Sequence, residues 1–540
     1  MKTQYSFNMV KEIMAKGVLT VYFLAVLPLL VSCSLDERPR DQIPEAEAYT
    51  TSSALYRNTV ATLYNYIGGS TDGQGLQGTC RGVYDLQTFG SDEAMLPTRG
   101  GDWYDGGLWQ AMYKHSWSAG HDLPKNAWLY LYKVITLCNR SIETLSTHKT
   151  LAANDYDEWQ AEVRALRAMY YWYLLDLFGD VPLVTTSDVS MNEVTRTPRA
   201  DVFRFCTTEL EAVLGSLPYQ NSIREGDYYG RITQPVALFV LAKLMLNASV
   251  YTAGVTNSAT ASASADYYRK CIGYCDAIER LGYTLEDSYA ANFQVYNQYS
   301  KENIFVIPMD KNLYANQQQN LYRSYHYRHA AAYGFTAENG SCATKRTLEI
   351  FGYGTGNQDA RFDMNYYSGA LFDLSGHPIT NRTGQPLVYY PEAVKLDLSG
   401  SPYVETAGAR MKKYEVDKNA PKDGKLMDND IVLFRFADVL LMRAEAKVRL
   451  GDDGQADFDR LRNRVGEDSR PCTLQNLLDE RLLELCWEGW RRQDLIRFGQ
   501  YRSLYEGPDA VDESDGHTAL YPIPADVRAL NTNLTQNAGY

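Results

Sequence analysis

The stretch from Arg81 to Trp117 interleaves rings, charges and glycines. Arg81, Asp85, Asp92, Glu93 and Arg99 lead into Gly100-Gly101-Asp102-Trp103-Tyr104-Asp105-Gly106-Gly107, followed by Trp109, Tyr113, His115 and Trp117. Aromatic residues that build a core alternate with aliphatic ones at helical or strand spacing. Here they sit between glycine pairs and carboxylates, which is loop chemistry. Flat rings beside Asp, Glu and Arg suit sugar recognition. The apolar face of a pyranose stacks on a π-face, while its hydroxyls donate to carboxylates and accept from guanidinium groups. Trp103, Tyr104 and Trp109 are therefore read as a stacking platform, with Arg81, Asp92, Glu93, Arg99, Asp102 and Asp105 as hydroxyl partners. A glycine-rich turn tucked beneath its neighbours is the plainer alternative. The tyrosine-rich stretch around Tyr322, Tyr325 and Tyr327 is the second place to look.

A second constellation lies near the C-terminus: Glu480, Arg481, Glu484, Glu488, Arg491, Arg492, Asp494 and Arg497. Two carboxylates flanking a bond would suit glycoside hydrolysis. The spacing argues otherwise. Glu480, Glu484 and Glu488 recur every four residues on one helical face, and Glu488 precedes Arg492 in the order that favours an ion pair. Leu482, Leu485, Trp487 and Trp490 would pack the other faces. This predicts a structural ladder and no catalytic residue.

Other chemistry finds little support. Gly73-Gln74-Gly75-Leu76-Gln77-Gly78 matches a dinucleotide-binding string, but it follows a helical pattern and no βαβ unit surrounds it. No HExxH, P-loop or serine-nucleophile elbow occurs. His326 and His329 are read as polar surface, and Cys271 and Cys275, one helical turn apart, as buried thiols, because neither pair has zinc spacing. No metal or cofactor is expected.

The elements that must hold these residues are mostly helices. Helical periodicity covers 53–67, 125–146, 159–178, 199–217, 233–251, 265–281, 437–450, 457–465 and 473–498. The span 162–178 is apolar nearly all round, the mark of a helix buried on most faces, and Gly179 and Pro182 stop it. From Met309 to Met427 the chain is rich in Asn, Gly, Tyr and Asp and has few sustained patterns. Loop regions of that length are usually functional.

Composition sets the outer limits. The 540 residues are 45% hydrophobic and 22% charged, ordinary for a globular chain. With 53 basic and 66 acidic residues the formal charge is −13 and no Lys/Arg run stands out, which argues against a nucleic-acid partner. Tyrosine is abundant, at 42 residues. Lys2, Lys11 and Lys16 precede an apolar run from Gly17 to Val31, shorter than a spanning helix and typical of a secretory signal. Leu30-Val31-Ser32-Cys33 matches a bacterial lipobox, so residues 1–32 are expected to be removed and Cys33 lipidated. Eight cysteines besides Cys33 are too sparse for a disulfide framework.

Ordered motifs now converge on one family. They are Asn139-Arg140 with Ile142, then 162–168 (EVRALRA) with Tyr170-Tyr171 and 177–183 (LFGDVPL), then Gly230-Arg231-Ile232-Thr233 and Ala242-Lys243. Glu302-Asn303-Ile304-Phe305, 434–438 (FRFAD), 440–446 (LLMRAEA), the Glu480–Arg497 helix, Tyr521-Pro522-Ile523-Pro524 and the ending 534–540 (LTQNAGY) follow, with Ala538 where proline is usual. In these features the chain resembles the SusD/RagB family of outer-membrane nutrient-binding lipoproteins over nearly its whole mature length.

The resemblance implies a mainly α fold in which about four tetratricopeptide-like helix pairs pack against an irregular, loop-rich half. Residues 33–260 and 261–540 would form the two parts of one unit. It implies glycan binding without catalysis, a lipid anchor at Cys33 in the outer membrane, an acidic export signal at Ser34-Leu35-Asp36-Glu37, and a SusC-like TonB-dependent transporter as partner. Capture of peptide or another nutrient, a surface glycoside hydrolase and a plain helical scaffold are the alternatives.

Overall fold

The computed structural model describes residues 48–219, 228–253 and 261–540. The signal segment, Cys33 and the acidic stretch after it lie outside the described residues. Thr51–Tyr540 forms one compact unit.

The long apolar periodicities become helices that pack on their neighbours in sequence. Val83–Thr88 (α1) and Leu108–Lys114 (α2) are short and flank the aromatic loop. Asp122–Thr147 (α3) packs on Tyr156–Phe178 (α4), and α4 on Arg199–Val213 (α5). Gln234–Leu246 (α6) packs on Ala261–Arg280 (α7), which packs on Phe436–Leu450 (α8). Gln455–Arg464 (α9) and Leu474–Leu485 (α10) then pack on α8. These are stacked helical hairpins of the tetratricopeptide kind.

Sequence explains their burial. From Trp159 onward α4 exposes almost nothing, and Gly179, at φ +75, ends it. Helix α6 opens on Pro235 near its first turn and is apolar on every face. Its one cation, Lys243, reaches Asp438 at 2.6 Å and lies 3.8 Å over the Trp490 ring. Burial pulls its pKa down to about 8.

The irregular half joins the helices through an antiparallel pair, Asn303–Ile307 (β1) with Ile431–Arg435 (β2), buried along its length. Phe434 stacks on Phe239 of α6 at 4.4 Å. Between the strands, no described helix exceeds six residues. A core without regular ladders leaves many carbonyls unpaired, and buried arginines supply the missing donors. Arg410 donates to the Ser324, Gly340 and Glu405 carbonyls.

The C-terminal pattern departs from expectation in one respect. The single helix over 473–498 is two, α10 and Arg491–Arg497 (α11), because Trp487 and Gly489 take left-handed φ values of +64 and +76. Glu488 therefore never meets Arg492. It pairs with Arg435 at 2.8 Å and Lys413 at 2.5 Å, while Arg492 faces Asp176 at 3.3 Å. The ladder is structural even so. Glu480 and Glu484 are fully buried and held by Arg361, Arg435, Arg462, Arg464 and Arg470. Carboxylates so enclosed cannot meet a glycosidic bond.

The glycine string at 73–78 sits in a turn-rich loop ahead of α1, with no strand before it among the described residues. Cys271 and Cys275 are buried free thiols. His326 and His329 are not polar surface. Both are buried, beside Glu405 and Tyr389 respectively, and burial lowers their pKa values to about 4 and about 3. Among the described residues no His, Cys, Asp and Glu gather as metal ligands, and no helix is long and apolar enough to cross a membrane.

Candidate ligand-binding site

Arg81, Asp102, Trp103 and Asp105 line one open cleft of ≈ 400 Å³, together with Asp72, Cys80, Gln319, Tyr327, Ala337, Glu338 and Lys425. Three pieces of chain far apart in sequence build it, and close backbone contacts hold them. The 68–82 loop lies against 316–319, where Gln317 N–H donates to Gly69 O at 2.9 Å and Gln319 N–H to Gly78 O at 2.7 Å. A Cβ on Gly78 would fall 2.4 Å from the Gln317 carbonyl, so only glycine lets the loop approach. That approach carries Asp72 and Arg81 to the rim.

The 99–107 loop starts as a tight turn closed by Arg99 N–H to Asp102 O at 2.9 Å. Trp103 and Asp105 then adopt φ of +63 and +45, and Arg81 and Asn339 across the cleft are also left-handed, at +58 and +54. Such conformations cost non-glycine residues of the order of 1–3 kcal/mol each and persist where the surroundings fix them, often at functional sites. Here the fixing groups are visible. The Trp103 indole N–H donates to the Glu338 carbonyl at 2.9 Å, and a Cβ on Gly340 would collide with the indole at 2.6 Å. Arg81 clasps Asp72 at 2.6 Å and Asp105 at 2.7 Å, and Asp105 also accepts from the Trp109 indole at 2.9 Å. The Tyr327 hydroxyl donates to Asp102 at 2.7 Å. Burial and that hydrogen bond raise the Tyr327 pKa well above its ordinary value, and burial raises that of Glu338. Although burial opposes it, pairing with Asp72 and Asp105 raises that of Arg81.

Four of the expected hydroxyl partners and rings are elsewhere. Asp92 is buried in a bidentate pair with Arg491 of α11, at 2.6 and 2.9 Å. Glu93 is buried and accepts from the Trp487 amide; desolvation pushes its pKa up to about 7. Arg99 is buried and donates to the carbonyls of Gly340, Val404 and Ala407. Trp109 is buried behind Trp103, 6.1 Å from it edge to face, with Arg323 5.7 Å over its ring. Trp109 backs Trp103, Asp92 and Glu93 reach the C-terminal segment, and none of these four lines the cleft. Tyr104 is 54% exposed but does not line it.

The stacking platform therefore reduces to Trp103. Of the eight tryptophans, the other seven are buried and Trp103 alone reaches solvent. Sequence reasoning missed Asp72, Gln319, Glu338 and Lys425. Tyr327, from the second tyrosine-rich stretch, belongs to the same cleft, whereas its neighbour Tyr325 is buried.

The family model described as "SusD family" matches residues 283–540, and the one described as "Starch-binding associating with outer membrane" matches 84–246. Starch-binding protein SusD of Bacteroides thetaiotaomicron is 28% identical over 429 residues, 71% of this chain and 72% of that protein. Among solved structures, a laminarin-binding SusD-like protein superposes with a TM-score of 0.68 at 21% identity, covering 91% of this chain and all of that one. Surface glycan-binding protein A of B. thetaiotaomicron, in complex with laminarihexaose, superposes with a TM-score of 0.67 at 18% identity, covering 90% of this chain and all of that one. Motifs, helical hairpins and the two matched segments agree: the chain belongs to the SusD/RagB family.

Proposed function

We propose that the chain is a cell-surface lipoprotein that captures an oligosaccharide in the Trp103 cleft and delivers it to a SusC-like TonB-dependent transporter in the outer membrane. It binds and does not cleave, as befits its family. The observation that carries the reading is Trp103 itself: a tryptophan held in a left-handed loop, its N–H consumed internally, lining an open cleft rimmed by carboxylates. An indole whose polar edge is satisfied has only its π-face to offer a ligand, which suits a pyranose ring.

Electrophoresis through gels containing starch, laminarin, levan, mannan, xylan, polygalacturonate or chondroitin sulfate tests it. Retardation on at least one supports the reading, and retardation on none removes it. Appearance of reducing ends in the same incubations would instead make the protein a hydrolase.

Anchoring is tested at Cys33. More than one acyl chain is needed for stable attachment, at roughly 0.8 kcal/mol per buried methylene, and a lipobox cysteine is the point of attachment. Cys33→Ala is expected to fold normally and leave the membrane fraction. Sedimentation of the variant with outer membranes after a high-salt wash would refute lipidation there.

A further inference from the structure

We propose that the Trp103 cleft accepts only uncharged, hydroxyl-rich oligosaccharides and excludes glycans bearing uronate or sulfate groups, an inference that rests on the cleft being the glycan site.

Two observations point the same way. The first is charge. Asp72, Asp102, Asp105 and Glu338 line the cleft against Arg81 and Lys425, four carboxylates to two cations, a formal balance of −2. The stronger constraint is on Arg81. Arg81 is clasped between Asp72 and Asp105, and the Lys425 ammonium sits 4.5 Å over the Tyr322 ring. A concave wall with an excess of one sign focuses its field into the cleft.

The second is hydrogen-bond sense. Arg81 fills only one oxygen each of Asp72 and Asp105, and Tyr327 one of Asp102. The other oxygens of these three accept nothing from the described residues. Several donors are already engaged: the Trp103 N–H on Glu338 O, one N–H of the Gln319 amide on Gln317 Oε1 at 2.7 Å, and two of the Arg81 N–H groups on Asp72 and Asp105. The rim carboxylates thus keep open acceptors. A sugar hydroxyl brings the proton such an acceptor needs. A carboxylate or sulfate brings none, so it would meet lone pairs with lone pairs as well as like charge with like charge.

Trp103 is its own probe. Because the other seven tryptophans are buried, collisional quenching of tryptophan fluorescence, taken as the difference between the parent and Trp103→Phe, reports the cleft. Iodide and caesium quenching constants, measured at one ionic strength and each divided by its value on N-acetyltryptophanamide, are expected to differ by about threefold or more in favour of caesium. Asp102→Asn should narrow that ratio. In the gel panel, any Trp103-dependent retardation should fall among the uncharged polysaccharides. Iodide quenching equal to caesium after normalisation overturns the inference, as does Trp103-dependent retardation on polygalacturonate or chondroitin sulfate. Iodide exclusion with retardation on no polysaccharide overturns the glycan reading and this inference with it, and is distinguishable because the cleft potential then survives while the ligand class does not.

Discussion

Replacing Arg435 with alanine is expected to lower stability by about 3–5 kcal/mol, because truncating one partner of a buried ionic cluster leaves the others desolvated and unpaired. Arg435 ends β2, is fully buried, and spreads its guanidinium over Glu302 at 2.7 Å, Glu484 at 2.6 Å and Glu488 at 2.8 Å, with one further bond to the Glu484 carbonyl. Arg464 and Lys413 remain after the substitution but cannot compensate three carboxylates in that geometry. The control is Arg346→Ala, whose pair with Glu349 is solvent-exposed at 3.1 Å and should leave the denaturant midpoint unchanged. Equal midpoints for the two variants would show that the ladder holds nothing.

Buried ion pairs of this kind also make the fold sensitive to acid. Burial works against ionisation of Glu484 and Asp494, yet Arg464 and Arg435 beside the first, and Arg481 and Arg497 beside the second, hold both pKa values well below the carboxylate range. A group whose folded pKa is depressed stabilises fully above its unfolded pKa and loses that contribution as pH falls. Stability should therefore decline progressively below about pH 4.

What could be read from the sequence follows how local each feature is. Helices α3 to α8 rest on patterns repeated within 13 to 26 residues, those of α4 and α8 closed by Gly179 and Gly451, and they appeared where the pattern put them. The break after Leu485 was masked by a helical pattern that runs through it, and Gly489 was its one visible sign. The site is harder because its logic is not local. Asp92 and Asp102 look alike beside glycine and aromatic residues, but the partner that withdraws Asp92 is Arg491 and the one that leaves Asp102 at the rim is Tyr327. Each is more than two hundred residues away. The two charged constellations that look separate in sequence are joined by Asp92 and Glu93, which reach the turn between α10 and α11. Lys425 and Glu338 carry no local mark at all; only the chain path brings them to the cleft.

Trp103→Ala is expected to weaken binding of the cognate glycan about tenfold or more while barely moving the melting temperature. A buried aromatic ring covers roughly 150–250 Å², of which one face meets a sugar. At about 25 cal/mol per Å² of apolar area that contact is worth ~1–2 kcal/mol, and 1.4 kcal/mol is a factor of ten. Ordering a flexible oligosaccharide subtracts from the total, so the parent affinity itself should be modest, about micromolar to millimolar. The loss in the folded protein is small by comparison. Trp103 is half-buried, gives up one hydrogen bond to Glu338 O, and leaves the Arg81 clasp and the Arg323–Asp85 pair behind it intact at 2.6–2.8 Å. Trp103→Phe keeps a face without the N–H and should recover most of the affinity; substitutions at Asp102 and Asp105 should cost less, since each hydroxyl contact only exchanges with water. Calorimetry on a glycan identified in the gel panel decides the matter. Unaltered affinity in Trp103→Ala would move the site away from this cleft, and a melting temperature that falls as far as that of Arg435→Ala would make Trp103 a packing residue whose effect on binding is indirect.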